Sequence, residues 1–203
     1  MKEVLRSYKH ATKEEIEHFC IPIIVSGERK GRLRPITLET IDNESEIQML
    51  TEWRSASSNW FTTQFPFSQA GTKRWLQRQV IEAEDRILFF VEDEEYTPIG
   101  QIGLIHYDEQ QKECEFDNLL RGRKGRYGNI IIHALIAIGA WSIRELHIQR
   151  GYLNVLGDNA RAIRIYLELG AQEVKRTPLV KRIEGEQLRW TAGGLTSLVK
   201  GSS

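Results

Sequence analysis

The sequence predicts an α/β fold with a mixed central sheet covered by helices on both faces, and three observations predict it. Three apolar, extended segments at about 86–92, 99–107 and 114–120 are separated only by short polar turns, so they can form an antiparallel meander. The stretch after them alternates helix, strand, helix, strand, which is the pattern of a parallel βαβα section. Two helical segments precede the meander, so the sheet has material for both of its faces.

Taken in order, Thr12-Lys13-Glu14-Glu15 fits a capping box, in which a hydroxyl and a carboxylate bond free backbone amides at the start of a helix over about 12–19. CIPIIVSGERKGRLRPITL reads as a hairpin with its turn between Gly27 and Gly31, and Pro22 and Pro35 push its strands toward edges or ends. Ile47, Leu50 and Trp53 recur at helical spacing after Asp42. An aromatic-rich loop, SASSNWFTTQFPFS, leads into a helix over 68–84 carrying Trp75, Leu76 and Val80. Beyond the meander come a helix over 128–143 and a short buried strand over 153–156. A further helix follows, opened by Asp158 and closed by Gly170, and then strand-like pieces near 172–183 and 187–191. This divides the chain into a helix-and-hairpin appendage (1–35), a main domain (36–191) and a loose tail (192–203).

Lys+Arg and Asp+Glu are both 28, so no global charge pulls the chain toward nucleic acid or an anionic membrane, and any anion site must be local. Cys20 and Cys114 lie far apart without metal-ligand spacing, which suggests free thiols, no disulfide and no metal site. No apolar stretch is long enough to span a bilayer, and the N-terminus lacks a signal-peptide core; the expectation is a cytoplasmic protein.

Two motifs carry chemistry. RGRKGRYGNII (121–131) lies between a strand and a helix. Gly122, Gly125 and Gly128 leave room for backbone amides to converge on a phosphate, and Arg121, Arg123, Lys124 and Arg126 supply countercharge. The spacing is that of neither a P-loop nor a dinucleotide fingerprint. A solvated basic turn is the alternative. In DNARAIRIYLELGA (158–171), Ala162, Tyr166 and Leu169 share one side of a helix that begins near Asn159. The alternative there is an ordinary N-capped helix with a half-buried Tyr.

In this order, a strand, a basic glycine turn, a helix, a short strand and then Asn-x-x-Ala-x-x-x-Tyr with a closing Gly, the chain resembles the GNAT acyl-CoA N-acyltransferases from about residue 36 to 174. The family's turn reads Gln/Arg-x-x-Gly-x-Gly/Ala. Arg123 and Gly128 match it, whereas Arg126 stands where Gly is expected and Gly125 falls one residue early. The resemblance implies acetyl-CoA as co-substrate. Its pyrophosphate would lie on the Arg123-Lys124-Gly125-Arg126-Tyr127-Gly128 turn beside Arg121. Its pantetheine would lie between strands 117–120 and 153–156, near Asn159 and Ala162.

The resemblance also implies direct attack of a neutral amine on the thioester. A backbone amide near Leu119 or Leu120 would meet the oxyanion, and Tyr166 would protonate the leaving thiolate. Glu115 and Asp117 alternate onto one strand face and are candidate bases, Asp117 the preferred one; His106 is a third. The acceptor would sit against the first helices and their loop, where Trp53, Arg54, Trp60, Phe65 and His106 are candidate contacts. At least half of the aromatics there are expected to pack the core instead. The expected acceptor is a small-molecule amine, an amino-sugar nucleotide of surface polysaccharide synthesis first and a protein N-terminus second. A non-catalytic acyl-CoA-binding or regulatory module is the reading of another class. Residues 1–35 could cover a sheet edge, form a homodimer or lid the acceptor site.

Overall fold

The computed structural model describes residues 2–64, 67–124, 128–184 and 187–192. The chain forms two compact units, residues 1–57 with 67–154 and residues 58–66 with 155–203.

The larger unit is built on the meander that the apolar runs require. Strands β4 (Ile87–Asp93), β5 (Pro98–Asp108) and β6 (Glu113–Arg121) pair antiparallel. The hairpin β1 (Ile21–Val25) and β2 (Glu28–Pro35) adds to them through β2, and β7 (Arg150–Tyr152) pairs parallel with β6, giving the order β1-β2-β4-β5-β6-β7. Residues 1–35 therefore are no appendage, because the hairpin supplies two of the six strands. Its turn is tighter than Gly27–Gly31: Ser26 and Gly27, at φ 51 and 83, connect Val25 directly to Glu28, which matches the right-handed twist of the strands. Gly31 instead lies within β2, where an added Cβ would be 2.2 Å from the Glu92 carbonyl.

Alternation along β4 shows how the sheet is covered. Phe90 meets Trp53 of helix α3 (Glu44–Ala56), with ring centres 6.4 Å apart. Phe89, on the other face, meets Trp141 of helix α5 (Ile130–Leu146) at 5.6 Å. Helix α1 (Lys2–Lys9) reaches the same cluster, since Trp141 Nε1 donates to the Tyr8 hydroxyl at 2.7 Å.

Lys9 is buried, and its ammonium donates to the carbonyls of Val80 (3.2 Å) and Ala83, which end the π-helical continuation (Gln77–Ile81) of helix α4 (Gln69–Leu76). Burial lowers its pKa. The expected helix over 12–19 is only a 3-10 turn at Ile16–Phe19. Half of the expected capping box forms, the Glu15 carboxylate accepting from the Thr12 backbone amide (3.2 Å), while the Thr12 hydroxyl donates to the same carboxylate (3.2 Å). Helix α2 (Leu38–Asp42) precedes α3, which Asn43 caps through Glu46 N.

On β2 and β4, Glu92 is buried between two arginines: its carboxylate accepts from Arg32 Nε and Arg34 Nε, both at 2.6 Å. Glu17 and Glu46 take the outer ends of the same guanidiniums. Burial pushes the Cys20 thiol up to about 11 and the Cys114 thiol up to about 12, so neither is a nucleophile at neutral pH.

The smaller unit holds strand β3 (Thr63–Gln64), helix α6 (Ala160–Glu168) and the hairpin β8 (Leu179–Glu184) and β9 (Gln187–Ala192), with strand order β3-β9-β8. Asn159, not Asp158, caps α6, its Oδ1 accepting from Ala162 N at 3.1 Å. Gly170, at φ 89, ends the helix as expected. The tail from 193 on lies outside the described residues. No helix among the described residues is long and apolar enough to cross a membrane.

Candidate active site

Strand β6 positions the acids, and two irregularities give it its shape. Asp117 pairs with Gly103 and Leu120 with Gln101, so Asn118 and Leu119 together oppose Ile102 in a bulge where Asn118 takes φ 55. On its other side the parallel pairing with β7 runs only from Glu113↔Arg150 to Glu115↔Tyr152. Past that point β6 has no strand partner on this side among the described residues. Residues 153–156, expected as a short buried strand, carry no strand; the strand lies three residues earlier.

Glu115 and Asp117 share one face of β6. Glu115 is buried and meets His106 Nδ1 at 3.1 Å, and His106, at φ 53, occupies a second bulge on β5. Asp117 is half-buried and accepts from Asn118 Nδ2 at 2.7 Å. Asn118 Oδ1 in turn accepts from Arg54 Nη1 at 3.0 Å and lies 3.4 Å from Gln101 Nε2. Arg54, on α3, is buried with its guanidinium 3.9 Å from the centre of the Trp75 ring. Burial brings its pKa down to about 10, against the stabilising charge of Asp117 and aided by repulsion from Arg86.

Two expected acceptor contacts therefore have packing partners: Arg54 serves the β6 bulge, and Trp53 is buried against Phe90 and Gly122. Trp60 is 52% exposed and His106 is also exposed, whereas Phe65 lies outside the described residues.

The basic turn is stapled at its base. Gly122 N and Arg123 N both donate to Ile99 O (2.9 and 3.1 Å), and Arg121 donates to the carbonyls of Arg123 (3.3 Å) and Gly128 (3.0 Å). Arg123 turns its guanidinium to Pro98 O (2.5 Å) and Met49 Sδ (3.8 Å); Lys124 and Gly128 are exposed. Gly125, Arg126 and Tyr127 lie outside the described residues. Leu119 is half-buried and Leu120 buried.

A Cβ on Gly122 would sit 2.0 Å from the Trp53 ring, so Gly122→Ala must displace either the turn or the indole. Its expected effect is a loss of about 1–3 kcal/mol in urea unfolding. In the smaller unit, Ala162 and Tyr166 are half-buried on one side of α6, while Leu169 is exposed.

Asn118 and Gln101 were not singled out in the sequence. The available signals are a buried amide in the apolar run IGQIGLI and an Asp-Asn pair inside a strand, where Asn tolerates a left-handed backbone.

A family model described as an acetyltransferase (GNAT) domain matches residues 32–172. The chain belongs to the GNAT family. It is an acetyltransferase that uses acetyl-CoA.

Solved structures share the GNAT fold. Spermidine N-acetyltransferase from Vibrio cholerae, in complex with CoA and spermine, is 21% identical with a TM-score of 0.60, covering 79% of this chain and 93% of that one. Spermidine/spermine N-acetyltransferase SpeG from Vibrio cholerae, in complex with manganese ions, is 18% identical with a TM-score of 0.56, covering 79% and 89%. A domain from Methanocaldococcus jannaschii DSM 2661 is 16% identical with a TM-score of 0.52, covering 78% and 94%. No curated protein matches the sequence.

Proposed function

We propose that this GNAT enzyme transfers acetyl from acetyl-CoA to the primary amine of a small molecule, a nucleotide-linked amino sugar first. The observation carrying the transfer chemistry is the bulged face of β6, where Asp117 lies half-buried and Asn118 holds its carboxylate. Asp117 takes a proton from the amine, the C–N bond forms at the thioester carbon, and the Leu119 or Leu120 amide stabilises the oxyanion. The C–S bond then breaks and Tyr166 protonates the departing thiolate. The 121–128 turn holds the pyrophosphate, with Asn159 and Ala162 along the pantetheine.

An exposed Trp60 indole, free to stack on a sugar or base ring, favours the amino-sugar acceptor. A polyamine is the second reading, favoured by the acids Glu115 and Asp117 on one strand face and by the polyamine substrates named for the similar Vibrio cholerae enzymes. Calorimetry with acetyl-CoA, followed by free-thiol assays on UDP-linked amino sugars, spermidine and an N-terminal peptide, separates these readings. Turnover of the sugar nucleotide is expected, and Trp60→Ala should raise its KM. Turnover of spermidine or the peptide alone would replace the acceptor. Acetyl-CoA binding with no acetyl transfer to any of them would reject all three acceptors.

A further inference from the structure

We propose that Asn118 is a positioning residue for acetyl transfer, aiming the Asp117 carboxylate from a bulge that Arg54 locks. The inference rests on Asp117 acting as the base.

Consecutive residues of a regular strand point to opposite faces, so Asp117 and Asn118 should not meet. They meet at 2.7 Å because Asn118 takes φ 55 in the bulge, which turns its side chain back toward its neighbour. Its amide has one workable orientation. Arg54 Nη1 and Gln101 Nε2 are donors, so Oδ1 must face them, and Nδ2 is left for the carboxylate. A flipped amide would set N–H against N–H on one side and oxygen against oxygen on the other.

The lock comes from both covering helices and strand. Arg54 is buried on α3 with its guanidinium over the Trp75 ring of α4, so it cannot swing away without losing that stacking. Gln101, fully buried on β5, turns its amide nitrogen toward Asn118 even though its own Oε1 is left with no hydrogen-bond partner among the described residues. The network thus fixes a side chain that serves Asp117.

Asn118→Gly is the discriminating variant, because Gly adopts φ 55 freely and the bulge survives while only the amide is lost. CoA release is followed with a UDP-linked amino sugar and, in parallel, with no amine present, where the attacking water needs the same base. Asn118→Gly should lower kcat about tenfold with KM for acetyl-CoA unchanged. Asp117→Asn should lower it further, and the double variant should be no slower than Asp117→Asn alone. Arg54→Met, which keeps both β6 residues but removes the donor that holds Asn118 Oδ1, should behave as Asn118→Gly does.

Native kcat in Asn118→Gly, or a full additional tenfold loss in the double variant, would overturn the positioning role while leaving Asp117 as base. Native kcat in Asp117→Asn would instead remove the base, and the positioning role with it.

Discussion

Tyr166→Phe is expected to lower kcat about a hundredfold, the typical size of a lost general acid. An alkyl thiolate is a basic leaving group, and a phenol of pKa about 10 is matched to protonate it as the C–S bond lengthens. The Phe ring keeps the bulk of the native side chain on α6, so KM for acetyl-CoA should not change and the loss should fall on kcat. A thioester with a more acidic thiol needs no such proton, and with it the native and Phe proteins should react at similar rates. Equal sensitivity of both thioesters to the substitution would assign Tyr166 a packing role.

Glu92→Gln should cost about 3–5 kcal/mol of folding stability, a large share of the roughly 5–15 kcal/mol of a typical domain. Glu92 is buried and is the shared counter-charge of Arg32 and Arg34, each 2.6 Å away, so its neutralisation leaves two guanidiniums short of an anion inside the protein. Guanidinium chloride unfolding gives the value. Replacing Glu92, Arg32, Arg34 and Glu46 together by apolar residues of similar volume should recover most of the loss, because the remaining partner, Glu17, is exposed and no charge of the network is then left buried alone. If Glu92→Gln unfolds like the native protein, the network is not what holds β2 to β4.

The meander and the helices around it were legible because their apolar residues recur at clear periods: Ile47, Leu50 and Trp53 face the sheet as their spacing predicts, and β4 is apolar on both sides. Helix α1 was not legible. Its eight residues are mostly polar, and Tyr8 and Lys9 find their partners in segments remote in the chain. The Thr12–Glu15 pair predicts a helix start because a capping box looks the same in sequence whether the turn continues or stops. In the site, the acids and the basic turn could be placed by motif, but the partners of Trp53 and Arg54 could not. An aromatic or arginine beside a binding loop can face outward or prop up the loop from beneath. Here a missing side chain at Gly122 and a left-handed Asn118 decide that both prop.

The Tyr8–Trp141 contact joins groups 133 positions apart. At about 5–20 residues per second of synthesis, the first helix leaves the ribosome roughly ten seconds before its partner exists. Until α5 emerges, Phe89 lacks the indole that packs against it and Trp141 is not there to donate to Tyr8. The nascent chain therefore carries Phe89 uncovered on its half-built sheet while the next 52 residues are added, about a quarter of the chain, and final closure of this unit waits on the arrival of Trp141.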